Sequence, residues 1–191
     1  RAFIYITISA VAGWGVLFLQ KNNGFNLAEA SQVIAFSAVF GVLGTVLAGW
    51  LSDRVFKGDR VKPAILSGII CTSSLILFLF VGGGFVLNIF YVSLFSLSTG
   101  VLYCIVAGLM AVDIVPRKAT GAALGVVGIS SYVAAGLQDI TSGYLIQGFT
   151  KVVDGVDVYN FTPVSWFWLV ASIVSFILPV LNWKKMKSEN N

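Results

Sequence analysis

The sequence predicts an all-α membrane protein with six transmembrane helices. Its 191 residues are 58% hydrophobic and only 10% charged, whereas a soluble domain carries about a quarter charged residues. Several apolar stretches are longer than the roughly 18 residues that indicate a helix crossing a bilayer. Strands of a membrane barrel would instead alternate apolar and polar residues over about ten positions. Because lipid offers the backbone no hydrogen-bond partners, these stretches must form helices.

Turn and capping residues between the apolar stretches mark the helix boundaries. Asn26 is a predicted N-cap, and Glu29, three residues later, completes a capping box. Pro63 suits the first turn of the third helix, where a missing backbone donor costs no hydrogen bond. Three glycines at 82–84 form a turn, and 148–162 is a polar loop. The six predicted helices cover residues 2–20, 27–51, 61–81, 85–115, 119–147 and 163–183.

The basic residues are distributed unevenly between the two ends of these helices. If successive helices cross in opposite directions, ten of the twelve Lys and Arg residues fall on one side. The ten are Arg1, Arg54, Lys57, Arg60, Lys62, Arg117, Lys118, Lys184, Lys185 and Lys187, and the other two are Lys21 and Lys151. Cytoplasmic loops carry the excess of Lys and Arg. We therefore predict a multi-pass protein of the cell membrane with both ends of this chain in the cytoplasm.

Missing residue types exclude several classes of function. The sequence has no histidine, which excludes His-based catalytic triads and most zinc sites. Cys71 and Cys104 lie deep in apolar stretches and are predicted to pack rather than to react. We expect no cofactor, no metal, no enzymatic activity and no nucleic-acid partner. The chain enters an apolar stretch directly after Arg1, which predicts a piece of a longer protein.

The end of the second predicted helix carries a motif. Gly49 is followed, after three residues, by Asp53 and Arg54. A glycine lets two helices approach closely, an aspartate accepts charge-assisted hydrogen bonds, and an arginine binds the last carbonyls of a neighbouring helix. The motif resembles the cytoplasmic loop signature of the major facilitator superfamily. A solvated basic loop is the alternative.

Further segments resemble the organophosphate:phosphate antiporters of that superfamily. They are residues 14–20 (WGVLFLQ), the loop end 57–60 (KGDR), and 116–125 (PRKATGAALG) with Gly128 and Tyr132. The resemblance covers nearly the whole chain. It implies a twelve-helix protein in the lipid bilayer, of which this chain is the second half, partnered by an N-terminal six-helix half. Members of the family exchange sugar phosphates or glycerol phosphate for phosphate, and some relatives are sensors.

One position departs from the family pattern. The family usually has a substrate-binding Arg six residues before the tryptophan of this helix, and here Ile8 stands at that distance from Trp14. The planar fork of an arginine binds two phosphate oxygens, which isoleucine does not do. Three explanations stay open: a related Arg lies in the other half alone, the ligand differs, or the protein is not an ordinary phosphate antiporter.

Four residues are candidates for the substrate site or pathway. Tyr5 and Tyr132 match positions where the family places tyrosines near its phosphate site, and packing is the alternative role. Gln138 and Asp139 lie inside an apolar stretch, and ionisable residues there normally face the bundle interior or a water-filled cavity. We predict a role for Asp139 in the transport pathway or in proton coupling. The alternative is a structural hydrogen bond that Gln138 or Thr141 shares.

Small residues line one side of the fifth predicted helix at helical spacing. They are Gly121, Gly125, Gly128, Ser131, Ala135 and Gly136. Small residues allow close helix packing in membranes, so we expect another helix to pack tightly there.

Asp113, at the end of the fourth predicted helix, can pair with Arg54 or Arg117. Such a pair would hold two cytoplasmic helix ends together in one conformation and release them in the other, as alternating access requires. With Gly49 and Asp53, these residues form the predicted cytoplasmic gating motif. A surface ion pair of little energetic value is the alternative.

The resemblance implies a fragment of a secondary active transporter for a small organic anion. The expected substrate is a sugar phosphate or glycerol phosphate, exchanged for phosphate by alternating access. A membrane sensor of sugar phosphate with the same fold is the first alternative. An intramembrane enzyme is disfavoured because the sequence has no histidine and no acid pair, and a structural membrane subunit is disfavoured by Asp139 and the loop motif.

Overall fold

The computed structural model describes residues 2–57, 59–109, 116–153 and 155–189. This part of the chain contains six long helices, and the predicted all-α fold class is confirmed. Their bounds are α1 (Ala2–Asn22), α2 (Leu27–Val55), α3 (Val61–Val81), α4 (Phe85–Leu102, continued by a π-helix, Tyr103–Leu109), α5 (Thr120–Gly148) and α6 (Thr162–Glu189).

Helices α1 to α5 are each long and apolar enough to cross a membrane. Within the described residues, an apolar part of α6 extends over Thr162–Leu178. Beyond it, α6 continues as a helix to Glu189, whereas the sequence predicts that this helix ends at residue 183. The last residues of the fourth predicted helix, 110–115, lie outside the described residues.

Four of the helices contain or end in a π-helical segment. These segments are Ala10–Trp14 in α1, Leu51–Val55 in α2, Leu77–Val81 in α3 and Tyr103–Leu109 after α4. A π-turn holds more residues than an α-turn, so it moves the following side chains to a different face of the helix. In α1 the π-segment begins after Ile8 and ends at Trp14, so the ordinary 3.6-residue period does not place these two side chains relative to each other.

The predicted capping box closes the first turn of α2. Asn26 Oδ1 accepts a hydrogen bond from the Glu29 amide at 2.8 Å, and Glu29 Oε2 accepts one from the Asn26 amide at 3.1 Å. Both bonds satisfy amide groups at the helix start that have no partner within the helix. This prediction is confirmed.

Two hydrophobic clusters fill opposite ends of the bundle. The first includes Phe18, Phe78 and Trp168 and joins the C-terminal parts of α1, α3 and α5 to the N-terminal parts of α2, α4 and α6. The second includes Ile4 and Leu102 and joins the N-terminal parts of α1 and α3 to the C-terminal parts of α2 and α4. Successive helices therefore run in alternating directions.

Helices α2 and α4 cross closely at glycines. A Cβ atom at Gly44 would collide with the backbone carbonyl of Leu97, and one at Gly100 would collide with the carbonyl oxygen of Gly41. Glycines at a crossing permit this backbone approach. At Gly49, by contrast, no atom of the described residues lies within 4 Å of the Cβ position. The close approach expected at Gly49 is thus not made by the described part of the chain.

The glycines on the small-residue side of α5 are not packed against any described helix. Within the described residues, no atom lies within 4 Å of a Cβ placed at Gly121, Gly125, Gly128 or Gly136. Ser131 is buried, but the tight helix packing expected along this side is not made by the helices described. Helical spacing identifies residues that share a face and does not identify what packs against that face, so packing by a helix outside the described residues stays a prediction.

A short β-hairpin interrupts the polar loop between α5 and α6. Strands β1 (Lys151–Val153) and β2 (Val156–Val158) are antiparallel, and Lys151 pairs with Val158. Gly155 has a φ of +78° in the turn, a conformation that glycine adopts without strain. The sequence predicts a plain loop here, because three-residue strands are too short to show a periodic pattern.

Candidate functional site

A cavity of about 360 Å³ lies between α1, α2 and α4. Its lining comprises Tyr5, Ile8, Val11 and Ala12 from α1, Ser37, Ala38, Gly41 and Thr45 from α2, Phe95, Ser96, Thr99 and Gly100 from α4, and Tyr103 from the following π-helix. Hydroxyl groups are the polar side-chain atoms of this wall, and none of these lining residues is charged. Small-molecule sites commonly combine an apolar wall with a few polar groups in this way.

Tyr5 and Tyr103 line this cavity, and the ring of Tyr132 contacts that of Tyr5 from α5. The centroid of the Tyr5 ring lies 6.1 Å from that of Tyr103 and 5.5 Å from that of Tyr132, which it meets edge to face. Tyr132 is 70% exposed on α5. The structure thus brings together the two tyrosines that the sequence identifies as candidates, and it adds Tyr103.

Tyr103 is a site residue that the sequence reasoning missed. It follows Ser96, Thr99 and Gly100 by seven, four and three residues. This spacing places all four on one face of a helix. A stripe of small and polar residues within an apolar helix is the signal that points to Tyr103.

Ile8 belongs to the cavity wall. It lines the cavity together with Tyr5, three residues earlier on the same face of α1, and with Ala12 of the π-segment. Ile8 is partly buried and packs against the second hydrophobic cluster. The position at which the resembling family has an arginine therefore lines the cavity, and in this chain it is neutral.

Asp139 joins α5 to the π-segment of α1. Trp14 Nε1 donates a hydrogen bond to Asp139 Oδ1 at 3.2 Å. A Cβ atom at Gly13 would lie 3.7 Å from the same oxygen, so the glycine leaves room for the carboxylate. Asp139 itself is exposed. The partner of the carboxylate is thus Trp14, whereas the hydroxyl of Thr141 bonds to the carbonyl of Leu137 at 2.7 Å.

Gln138 points in another direction, into the packing between α5 and α6. Its Nε2 donates to Ser142 Oγ at 2.8 Å, and Trp168 Nε1 donates to the same oxygen at 2.9 Å. Gln138 and Ser142 are both buried, at 1% and 0% exposure. Gln138 does not line the cavity between α1, α2 and α4. The structure separates it from Asp139 because adjacent residues of a helix point about 100° apart.

The loop after α2 is organised by Arg60. Its Nη1 donates to Asp53 Oδ1 at 2.8 Å and to Ser52 Oγ at 2.6 Å. Asp53 is 67% exposed at its side chain, whereas Arg60 is 19% exposed. Asp53 therefore accepts a charge-assisted bond, as its place in the motif indicates. The sequence predicts Arg60 in this loop but does not identify it as a site residue.

Two other members of the predicted gating motif, Arg54 and Arg117, lie within the described residues, and one, Asp113, does not. Arg54 lies in the π-segment that ends α2 and is exposed. Arg117 begins a 3₁₀ turn, Arg117–Ala119, ahead of α5. Asp113 lies outside the described residues. Its expected pairing with Arg54 or Arg117 therefore stays a prediction.

Asp59 fixes the start of α3. Its Oδ1 accepts hydrogen bonds from the amides of Val61, at 2.9 Å, and Lys62, at 3.4 Å. The ammonium group of Lys62 lies 3.5 Å from its other oxygen. Desolvation, the largest single effect, raises the pKa of Asp59, but the hydrogen bonds and the charge of Lys62 together lower this pKa below its ordinary value of 3.8.

These helices and their cavity lie in a sequence that matches a known family. Residues 1–139 match the family model described as Major Facilitator Superfamily. The chain belongs to the major facilitator superfamily. The matched range contains every candidate residue named above, from Tyr5 to Asp139.

Several curated proteins are similar to this superfamily member. The glycerol-3-phosphate transporter of Bacillus subtilis (strain 168) is 28% identical over 152 residues, which are 78% of this chain and 34% of the relative. The membrane sensor protein UhpC of Escherichia coli (strain K12) is 28% identical, over 70% of this chain and 30% of the relative. The phosphoglycerate transporter protein of Salmonella typhimurium is 30% identical, over 69% of this chain and 28% of the relative.

The chain spans about a third of the length of these relatives. Their names include transporters of phosphorylated compounds and one sensor. The resemblance to the organophosphate:phosphate antiporters within the major facilitator superfamily is therefore confirmed.

Proposed function

We propose that the protein is a secondary active transporter of the major facilitator superfamily that moves a small organic anion across the cell membrane. Its substrate is a sugar phosphate or glycerol phosphate, exchanged for phosphate by alternating access. The observation that carries this proposal is the cavity between α1, α2 and α4, which Tyr5 and Tyr103 line and where Tyr132 of α5 contacts Tyr5. The transporter relatives support the same substrate class.

In this proposal the chain supplies one six-helix half of a twelve-helix protein, and the N-terminal half supplies the facing wall. Tyr5 and Tyr132 contact the substrate through their hydroxyl groups. Asp139 serves the pathway or its proton coupling, and Gln138 holds α5 against α6 so that Asp139 keeps its place. Asp139 suits a pathway role because it is exposed and accepts a hydrogen bond from Trp14 of α1.

The loop motif acts as the cytoplasmic gate. Gly49, Asp53 and Arg54 lie at the end of α2 together with Arg60, and we assign Asp113 and Arg117 to the facing end of the same gate. The ion pair between Asp53 and Arg60 keeps the loop ordered. Both ends of the chain lie in the cytoplasm, because that side then holds ten of its twelve basic residues.

Counterflow in proteoliposomes tests the transport proposal. Full-length protein is reconstituted into vesicles loaded with phosphate, and uptake of radiolabelled glycerol 3-phosphate and glucose 6-phosphate is followed. We expect uptake that requires phosphate inside the vesicles and that leaves the labelled compound chemically unchanged. Absence of uptake for every phosphorylated compound tried, in a preparation that remains folded, would remove the substrate class.

A sensor of sugar phosphate is the second candidate. It is favoured by the similarity to a membrane sensor protein and by the neutral residue, Ile8, in the cavity wall. A sensor would bind glucose 6-phosphate saturably and would show no counterflow. Binding together with phosphate-dependent counterflow would instead assign the protein to the transporters.

A further inference from the structure

The wall formed by α1, α2 and α4 is electrically neutral over the described residues. No Lys, Arg, Asp or Glu lines it, and its α1 side presents Ile8 and Ala12. Across the cavity, α2 presents Ser37 and Thr45, and α4 presents Thr99. The hydroxyls of Thr45 and Thr99 already donate to the carbonyls of Val42 and Phe95 in their own helices. This wall therefore offers a ligand mainly apolar surface.

Neutral hydroxyl groups replace little of the hydration that a phosphate group loses when it leaves water. Moving a charged group out of water is costly unless an opposite charge or several hydrogen bonds replace the lost hydration. Hydrogen bonds from Arg or Lys to phosphate are about twice as strong as bonds between neutral groups, and a guanidinium binds two oxygens at once. A wall that includes Ile8 and no charged residue lacks these groups, so it does not suit the charged end of a phosphate ester.

We propose that this wall is the subsite for the uncharged end of the ligand and that Ile8 is the residue that sets this preference. The ligand class is then an organic phosphate ester whose organic group lies against α1, α2 and α4 while its phosphate points away from them. Inorganic phosphate has no organic group, so this wall adds little to its affinity. The inference rests on the proposed function for its ligand class, and its test uses binding alone.

Binding to purified full-length protein in detergent tests the assignment of Ile8. Dissociation constants for inorganic phosphate, glycerol 3-phosphate and phenyl phosphate are measured by calorimetry for wild type, Ile8→Arg and Ile8→Met. We expect wild type to bind both esters at least tenfold more tightly than inorganic phosphate. Ile8→Arg should tighten binding of inorganic phosphate at least tenfold, because it places a guanidinium in the cavity, whereas Ile8→Met should change it less than twofold.

A second variant tests the same expectation if Ile8→Arg does not fold. Ala12 lines the same cavity one turn along α1 and is exposed, so Ala12→Arg adds a cation with less disturbance of packing. If Ile8→Arg does not give folded protein, Ala12→Arg carries the same expectation. The inference is overturned if wild type binds inorganic phosphate as tightly as the esters, or if a folded arginine variant changes phosphate affinity less than twofold.

If the proposed substrate class is wrong, the same binding measurements give a result that differs from failure of the Ile8 assignment. If wild type binds none of the three compounds, the substrate class fails. Gain of phosphate binding in a folded arginine variant would then still support a neutral wall at Ile8, and lack of any gain would overturn it.

Discussion

Asp139 is an acidic side chain within a helix long and apolar enough to cross a membrane, and its hydrogen bond to Trp14 links α5 to α1. Two roles fit this position, a structural hydrogen bond and a charged group of the transport pathway. Replacing the carboxylate by an amide distinguishes the two roles. The amide oxygen still accepts the hydrogen bond from Trp14, while the negative charge is lost.

We expect Asp139→Asn to lower phosphate-dependent uptake more than tenfold while the unfolding temperature stays close to that of wild type. Trp14→Phe is the matched control, since it removes the hydrogen bond and keeps the charge. The loss of that bond should lower stability by about 0.5–1.5 kcal/mol. Counterflow and thermal unfolding in detergent measure the two effects. Wild-type uptake by Asp139→Asn would assign the carboxylate a structural role.

Asp59 makes stability depend on pH at the start of α3. Its pKa is lowered in the folded protein, so the folded state favours the carboxylate. The stabilisation is therefore present above the unfolded pKa and is lost as pH falls through the lower, folded value. We expect the unfolding temperature of wild type to fall more steeply than that of Asp59→Asn below about pH 4. Equal slopes for the two proteins would contradict the assignment.

At the residue scale, the sequence predicts which side chains are unusual better than it predicts where they point. Tyr5 and Tyr132 stand out by resemblance, and the structure brings their rings together. Gln138 and Asp139 are neighbours in sequence but face different helices. Their partners, Ser142 and Trp14, depend on how α5 packs, and no local pattern contains that information.

At the scale of helices, the polar residues between apolar stretches are what allow the sequence to predict where each helix begins and ends. The capping box of Asn26 and Glu29 is a local interaction, so the sequence is sufficient to predict it. The π-segments are different. They insert residues into a helix without changing its composition, so an apolar stretch such as Leu77–Val81 gives no sign of one.

The crossing of α2 and α4 yields a prediction at this scale. Gly44→Ala should destabilise the protein by about 1–3 kcal/mol, because the added methyl group meets the backbone of Leu97 and the helices must separate. Gly49→Ala is the matched control on the same helix. Its Cβ position has no described atom within 4 Å, and alanine favours helix by about 0.5–1 kcal/mol over glycine.

Thermal unfolding of the full-length protein in detergent measures both variants. We expect a lower midpoint for Gly44→Ala and an unchanged or slightly higher midpoint for Gly49→Ala. Equal effects of the two substitutions would mean that the crossing is not as close as the structure has it.

At the scale of the whole molecule, the exposed sides of the bundle limit what sequence can predict. In α5 the small residues share a side that the described residues leave open, and next to it Ile129, Val133 and Ile140 are more than half exposed. Periodicity identifies such surfaces, but lipid and protein are both apolar partners for them. The chain spans about a third of its relatives, so the partner of this side is not determined by this stretch of sequence.

The orientation of the bundle is a whole-molecule prediction that two sites at the ends of α5 can test. Lys118 and Lys151 are exposed and flank this helix on opposite sides of the proposed membrane. Ten of twelve basic residues fall on the side of Lys118, and the positive-inside rule places that side in the cytoplasm. In full-length protein with Cys71 and Cys104 replaced, we expect Lys151→Cys to react with a membrane-impermeant maleimide in intact cells. Lys118→Cys should react only after permeabilisation, and the reverse pattern would invert the bundle and move the gating motif to the outer face.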